Sequence, residues 1–217
     1  MTDQSRPRRA STRNRPTDEQ LLDAALEVIA EVGTRRATMD MIAARGGTTR
    51  VTLYNHFSSR EELIARVLDR ELDAFSEWML AGYDRSEDMP YGARARYTVR
   101  LLFDYARQRP AGFRVTIGHL DRDDGAGRRL YSRLEPRIAA RLRRNYAERG
   151  ARIDSGADTL ASLLLVISLD VAHRALFIDG SDIDAACDLA TTATIAVLSA
   201  VRPEQLQAIE ASLPTTP

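Results

Sequence analysis

Apolar side chains along this chain recur at intervals of three and four, the repeat of an α-helix, and nowhere alternate as strand residues do. The pattern predicts an all-α protein. Thr17-Asp18-Glu19-Gln20 is a capping box, with acids in the first turn. It opens a helix to about Val32, with Leu22, Ala25, Leu26 and Ile29 inward and Gly33 as its stop. Met39, Ile42 and Ala43 share one face of a short helix from Met39 to Arg45, capped by Thr38. Gly46-Gly47 ends it, because glycine accepts the left-handed conformation of a sharp stop. Thr48 or Thr49 then caps a helix carrying Leu53 and Phe57 inward. Ser59-Arg60-Glu61-Glu62 is a second capping box. The helix it starts has Leu63, Val67, Leu68, Leu72 and Phe75 on its inner side and is expected to reach about Leu80.

Gly82 to Met89 is polar and reads as a loop. Pro90 suits a first helical turn, and Tyr97, Leu101, Leu102 and Tyr105 stripe the helix it begins. Pro110 opens another, to about Leu120, and Asp121 to Gly127 reads as a loop. An Arg-rich helix follows, about Arg128 to Glu148, in which Pro136 predicts a kink or break. Ser155 to Ile178 is apolar on nearly every side and is expected to be buried all round. Ile183 to Val201 is rich in alanine, which lets helices approach closely. The last two helices carry more apolar surface than one small domain needs. A two-fold homodimer built on them (about 155–201) as a four-helix bundle would cover it. After Pro203 the tail is a short helix or disordered.

The stretch TMDMIAARGGTTRVTLYNHF, Thr38 to Phe57, has a helix-turn-helix layout whose second helix is polar and aromatic on its outer face. With the SSREEL segment Ser58 to Leu63, it resembles the DNA-binding domain of the tetracycline-repressor (TetR) family, over about Thr17 to Leu68. The resemblance implies an N-terminal three-helix helix-turn-helix head and a C-terminal helical ligand-binding and dimerisation domain. The expected division is a flexible arm (1–16), a DNA-binding domain (17–62) and a helical domain (63–217). Candidate DNA contacts are Thr38 (also a cap), Thr49, Arg50, Thr52, Tyr54, Asn55, His56 and Arg60. Hydroxyls suit phosphates or base edges, and Arg50 can reach guanine O6 and N7. Tyr54 and His56 suit phosphates, and Arg60 falls where the family often places a phosphate-binding lysine.

Charge sharpens this picture. Basic and acidic residues balance at 31 each, and every basic residue is arginine. Residues 1–60 hold ten arginines and seven acids, a surplus of three that the remainder offsets. A basic end on a neutral protein is the footprint of a nucleic-acid reader. Residues 1–16, with five arginines, cannot bury a face; they read either as an arm following phosphates or a minor groove, or as a solvated tail.

The family resemblance also implies a small-molecule effector site in the C-terminal region. Candidate lining residues are Phe75, Trp78, Phe103, Phe113, Ile117, Tyr131, Leu169 and His173, each of which also fits a packed core; His173 beside Asp170 is a core histidine or a pocket hydrogen-bonder. His119, Asp121, Asp123 and Asp124 match no standard metal spacing, and no metal or cofactor is expected. A single cysteine, Cys187, excludes an internal disulfide and fits a reducing compartment. No apolar signal core opens the chain, and the run Leu163 to Leu169 is too short to span a bilayer, so a cytoplasmic protein without membrane contact is expected. No phosphate loop, HExxH or nucleophile elbow points to an enzyme. The expected function is a DNA-binding transcriptional regulator, a ligand-responsive repressor on a pseudo-palindromic operator. An activator or ligand-independent regulator of the same fold, and a helical protein-interaction module, are the alternatives.

Overall fold

The computed structural model describes residues 15–118 and 125–212. All regular structure among them is helical. In chain order the helices are α1 (Asp18–Val32), α2 (Met39–Arg45), α3 (Arg50–His56), α4 (Arg60–Arg85), α5 (Tyr91–Gln108), α6 (Pro110–Ile117), α7 (Gly125–Ala147), α8 (Gly156–Phe177), α9 (Ile183–Ala200) and α10 (Pro203–Ser212).

Local chemistry sets the first four boundaries. Thr17 and Gln20 cap α1 reciprocally, and Thr38, Thr49 and Ser59 each accept a backbone N–H at the start of α2, α3 and α4. Gly47 turns the chain between α2 and α3 with φ +59°, where a β-carbon would be strained. Leu21, Ile29, Ile42, Leu53, Phe57, Leu63 and Val67 close the head around one core. Val115 of α6 belongs to that core too, so the head is packed directly on the body.

The body is a bundle of α4 to α9, with Phe75, Met79, Leu102, Phe103, Phe113, Leu134 and Leu169 at its centre. A further cluster, including Leu142, Tyr146, Leu160, Leu198 and Leu206, joins α7 to α8, α9 and α10. Four expectations change. First, α4 continues to Arg85, taking in part of the expected loop. Gly82 lies inside the helix because Leu101 of α5 packs onto its bare backbone, where a β-carbon would collide. Second, α7 begins at Gly125, inside the other expected loop. Third, α7 runs through Pro136 without a break. Buried Leu130, Leu134, Ala139 and Leu142 pin it on both sides of the proline, so one lost backbone bond does not end it. Fourth, α8 is not buried all round.

By length and composition alone, α8 and α9 are apolar enough to cross a membrane. Each has one face in the bundle core, through Leu165, Leu169 and Ala172 on α8 and Ala186, Cys187 and Ala190 on α9. The opposite faces are open. Leu163 and Val166 on α8, and Leu189 on α9, stand in solvent in the isolated chain, Leu189 at 62% exposure.

Candidate nucleic-acid interface

The outer surface of α3 follows from which residues its core takes. Leu53 and Phe57, four apart, are fully buried behind the helix. Residues about half a turn away must then face outward. Arg50, Val51, Tyr54 and Asn55 do so. Tyr54 is 43% exposed, and its ring lies under the Arg50 guanidinium, 5.5 Å from carbon to centroid. Arg50 also pairs with Asp40 of α2 at 3.5 Å, on the open surface. Thr49 and Thr52 join hydroxyls at 3.0 Å at the start of the helix. Thr38 is exposed at the start of α2, its hydroxyl accepting from the Met41 N–H.

The other two expected contacts are engaged inside the head. His56 Nδ1 donates to Asp18 Oδ1 at 2.6 Å, tying the end of α3 to the start of α1. That bond, with Arg66 adding to it, holds the Asp18 carboxyl below its ordinary value. Arg60 donates to the Ala37 carbonyl at 2.6 Å and to the Thr34 carbonyl, fixing the loop between α1 and α2. Arg45 grips Glu27 and Glu31 of α1 at 2.9 and 2.7 Å. These bonds set the angle at which α3 projects.

One surface residue was passed over in the sequence. Val51 is 69% exposed, an apolar side chain with nothing to pack against in the isolated chain. Its position two residues before buried Leu53 places it about 200° round the helix, which marks it as outward-facing.

Residues 21–67, the span from α1 into α4 that builds this surface, match the family described as bacterial regulatory proteins, tetR family. Over 103 residues the chain is 37% identical to the HTH-type transcriptional activator FasR of Mycolicibacterium smegmatis, a match covering 46% of each protein. Residues 21–67 of this chain are thus similar to the DNA-binding region of tetR-family regulators of transcription. The likeness extends beyond the TetR head. The nucleoid occlusion factor SlmA of Sodalis glossinidius is 29% identical over 163 residues, 72% of this chain and 81% of that one. The structure of SmeT, the repressor of the Stenotrophomonas maltophilia multidrug efflux pump SmeDEF, superposes with a TM-score of 0.65 at 25% identity, covering 84% of this chain and 90% of SmeT. The aligned curated relatives thus span from about half to most of their own length.

The eight side chains expected to line an effector site fall in the helical body. Phe75, Phe103 and Phe113 are fully buried, with Phe75 edge-on to Tyr105 and Phe113 at 5.0 and 6.0 Å. Ile117 and Leu169 are buried beside them, and Trp78 and Tyr131 pack against the same cluster, Trp78 donating to the Leu101 carbonyl at 3.0 Å. His173 is half-buried, its ring 5.5 Å from that of Phe177, and burial lowers its pKa. The structure brings these residues into one packed core. A cavity of about 100 Å³ lies elsewhere, among α4, α5, α7, α8 and α9, and is lined by none of the eight. His119, Asp121, Asp123 and Asp124, and the arm up to Asn14, lie outside the described residues.

Proposed function

We propose that this regulator binds a pseudo-palindromic operator as a homodimer and represses until an effector occupies its body. The observation that carries the reading is the outer face of α3. Polar and aromatic groups cover it, Val51 stands exposed among them, and Leu53 and Phe57 lock it from behind. A helix of this kind enters a major groove with its first residues toward base edges. Arg50 suits guanine O6 and N7, and Asn55 suits adenine. Val51 suits a thymine methyl group. Thr38, Thr49, Thr52 and Tyr54 reach phosphates, which fix register without reading sequence. His56 and Arg60 hold the head in shape through the bonds they already make.

Dimerisation follows from the open faces of α8 and α9. Leu163, Val166 and Leu189 are too many large apolar groups to leave in water on helices already half packed. A second copy covers them by a two-fold four-helix contact, since an isologous patch is self-complementary. The same contact fixes the distance between heads, so half-sites lie about 34–36 Å apart or a multiple of it. Occupying the operator is sufficient for repression, and the protein acts in the cytoplasm where the DNA is.

The reading is tested by titrating a selected operator in fluorescence anisotropy at several salt concentrations. Specific binding that weakens steeply with salt is expected. Salt-insensitive association would point to the protein-interaction alternative.

A further inference from the structure

The lining of the cavity in the body is of two kinds. Met79, Val99, Leu102, Leu164 and Leu165 are apolar. Arg94, Arg137 and Arg141 are basic, and all three bond to Glu87. Charge there is unbalanced. Arg137, Arg141 and Arg144 all converge on Glu87, and Arg137 also pairs with Asp84. Arg94 is left with neutral partners: it donates to the Asn145 side-chain oxygen at 3.2 Å and to the Glu87 carbonyl at 3.3 Å. Among the described residues no carboxylate lies within ion-pair distance of it. Four arginines therefore face two carboxylates. Burial is the main influence on the pKa of Arg94 and lowers it; Glu87 acts against burial, Arg144 adds to it, and Glu148 opposes it weakly.

Two further groups lack partners. The Thr194 hydroxyl and the Tyr91 hydroxyl are buried at the cavity wall with no hydrogen bond. A buried polar atom without a partner is costly, and such atoms mark places where something else binds. Tyr91 and Arg94 are three residues apart on α5 and so share one side of it.

We propose that this cavity binds a small organic carboxylate. Its carboxylate meets Arg94 and the Tyr91 hydroxyl, its compact apolar body lies among Val99, Leu102 and Leu164, and a second polar substituent reaches Thr194. The volume, about 100 Å³, is below the roughly 150 Å³ of an engineered apolar cavity that takes benzene, so a short aliphatic body fits better than an aromatic ring. A cationic ligand is repelled by the surplus arginines. A neutral one leaves Arg94 without its counter-ion. This inference rests on the effector reading above and names the chemistry of the effector.

The test uses the full-length protein with three acids (butanoate, 4-hydroxybutanoate and hexanoate), their amides, and butylamine. Thermal shift and calorimetry read binding, and operator anisotropy is read separately. At least one acid is expected to raise the melting temperature at millimolar concentration and to bind roughly tenfold or more tightly than its amide. Arg94→Gln should remove that preference, Arg94→Lys should keep part of it, and Thr194→Val, nearly isosteric, should weaken 4-hydroxybutanoate more than butanoate. Acids that bind no better than amides, or none that binds, overturn the proposal on the wild-type protein alone, whatever the variants do. An acid that binds through Arg94 without releasing operator would leave this site standing and sink induction. Operator release by a compound indifferent to Arg94→Gln would do the reverse.

Discussion

Tyr54 is exposed on α3 where a tyrosine could have been core, which fits the proposed DNA-facing side of the helix. Replacing it by alanine removes no buried contact, so Tyr54→Ala should keep its melting temperature and its dimer while losing operator affinity by roughly tenfold or more. A large drop in melting temperature would place Tyr54 in the core and contradict the facing of the helix. Asp18 carries a second prediction. Its pKa is depressed, first by the His56 hydrogen bond. A carboxyl depressed on folding contributes stability above its ordinary value of 3.8, and that contribution disappears as pH falls through the folded value. Asp18→Asn should therefore flatten the acid limb of the stability-against-pH curve below about pH 4: the variant lies below wild type at neutral pH, by a small amount because the pair is partly exposed, and meets it in acid. Unchanged acid behaviour would mean the bond does not hold in solution. The core facing of Leu53 and Phe57 was legible in the sequence because i,i+4 spacing fixes it. The engagement of His56 and Arg60 was not, because their partners Asp18, Thr34 and Ala37 come from 23 to 38 residues away.

Between elements, an ion-paired contact ties α4 to α6 and runs on to α1 of the head. Glu71 is fully buried between Arg70 and Arg109, at 3.0 Å from each. Arg70 continues to Glu19 and Asp23 of α1, so one ion-pair chain crosses from the body into the head. Gly112 lets α6 come close enough, since a β-carbon there would overlap the Glu71 carboxylate. Gly112→Ala should destabilise by about 1–3 kcal/mol through this overlap, and denaturant unfolding measures it. Its operator affinity should also change, although residue 112 is remote from α3. A stable variant with wild-type affinity would show that α6 yields without consequence. Most helices were legible as elements because their caps are local. Their ends were less so: α4 outlasts its apparent loop only because Leu101 waits 19 residues further on to cover Gly82. The cavity was illegible for the same reason. Five helices bring it together, and its distinguishing residues are arginines that in sequence look like surface.

For the whole molecule, the account turns on a dimer that holds two heads at a fixed separation. Leu189→Arg, with Leu163→Asp if one change is insufficient, should yield a folded monomer by sedimentation with operator affinity reduced far more than Tyr54→Ala reduces it. A monomer that still binds a full palindrome tightly would contradict the bundle interface. The sequence showed an excess of apolar surface here and pointed to a two-fold contact between copies, with α8 expected to be buried on every side. The structure separates a face packed on α5 and α7 from one left open. Selection of bound sites from random duplex DNA, followed by affinity against salt, tests the central claim most directly. The account predicts a two-fold consensus with half-sites about one helical turn or a multiple apart, and a log–log salt slope near 0.9 per phosphate neutralised. A folded, dimeric protein that enriches no sequence would contradict it.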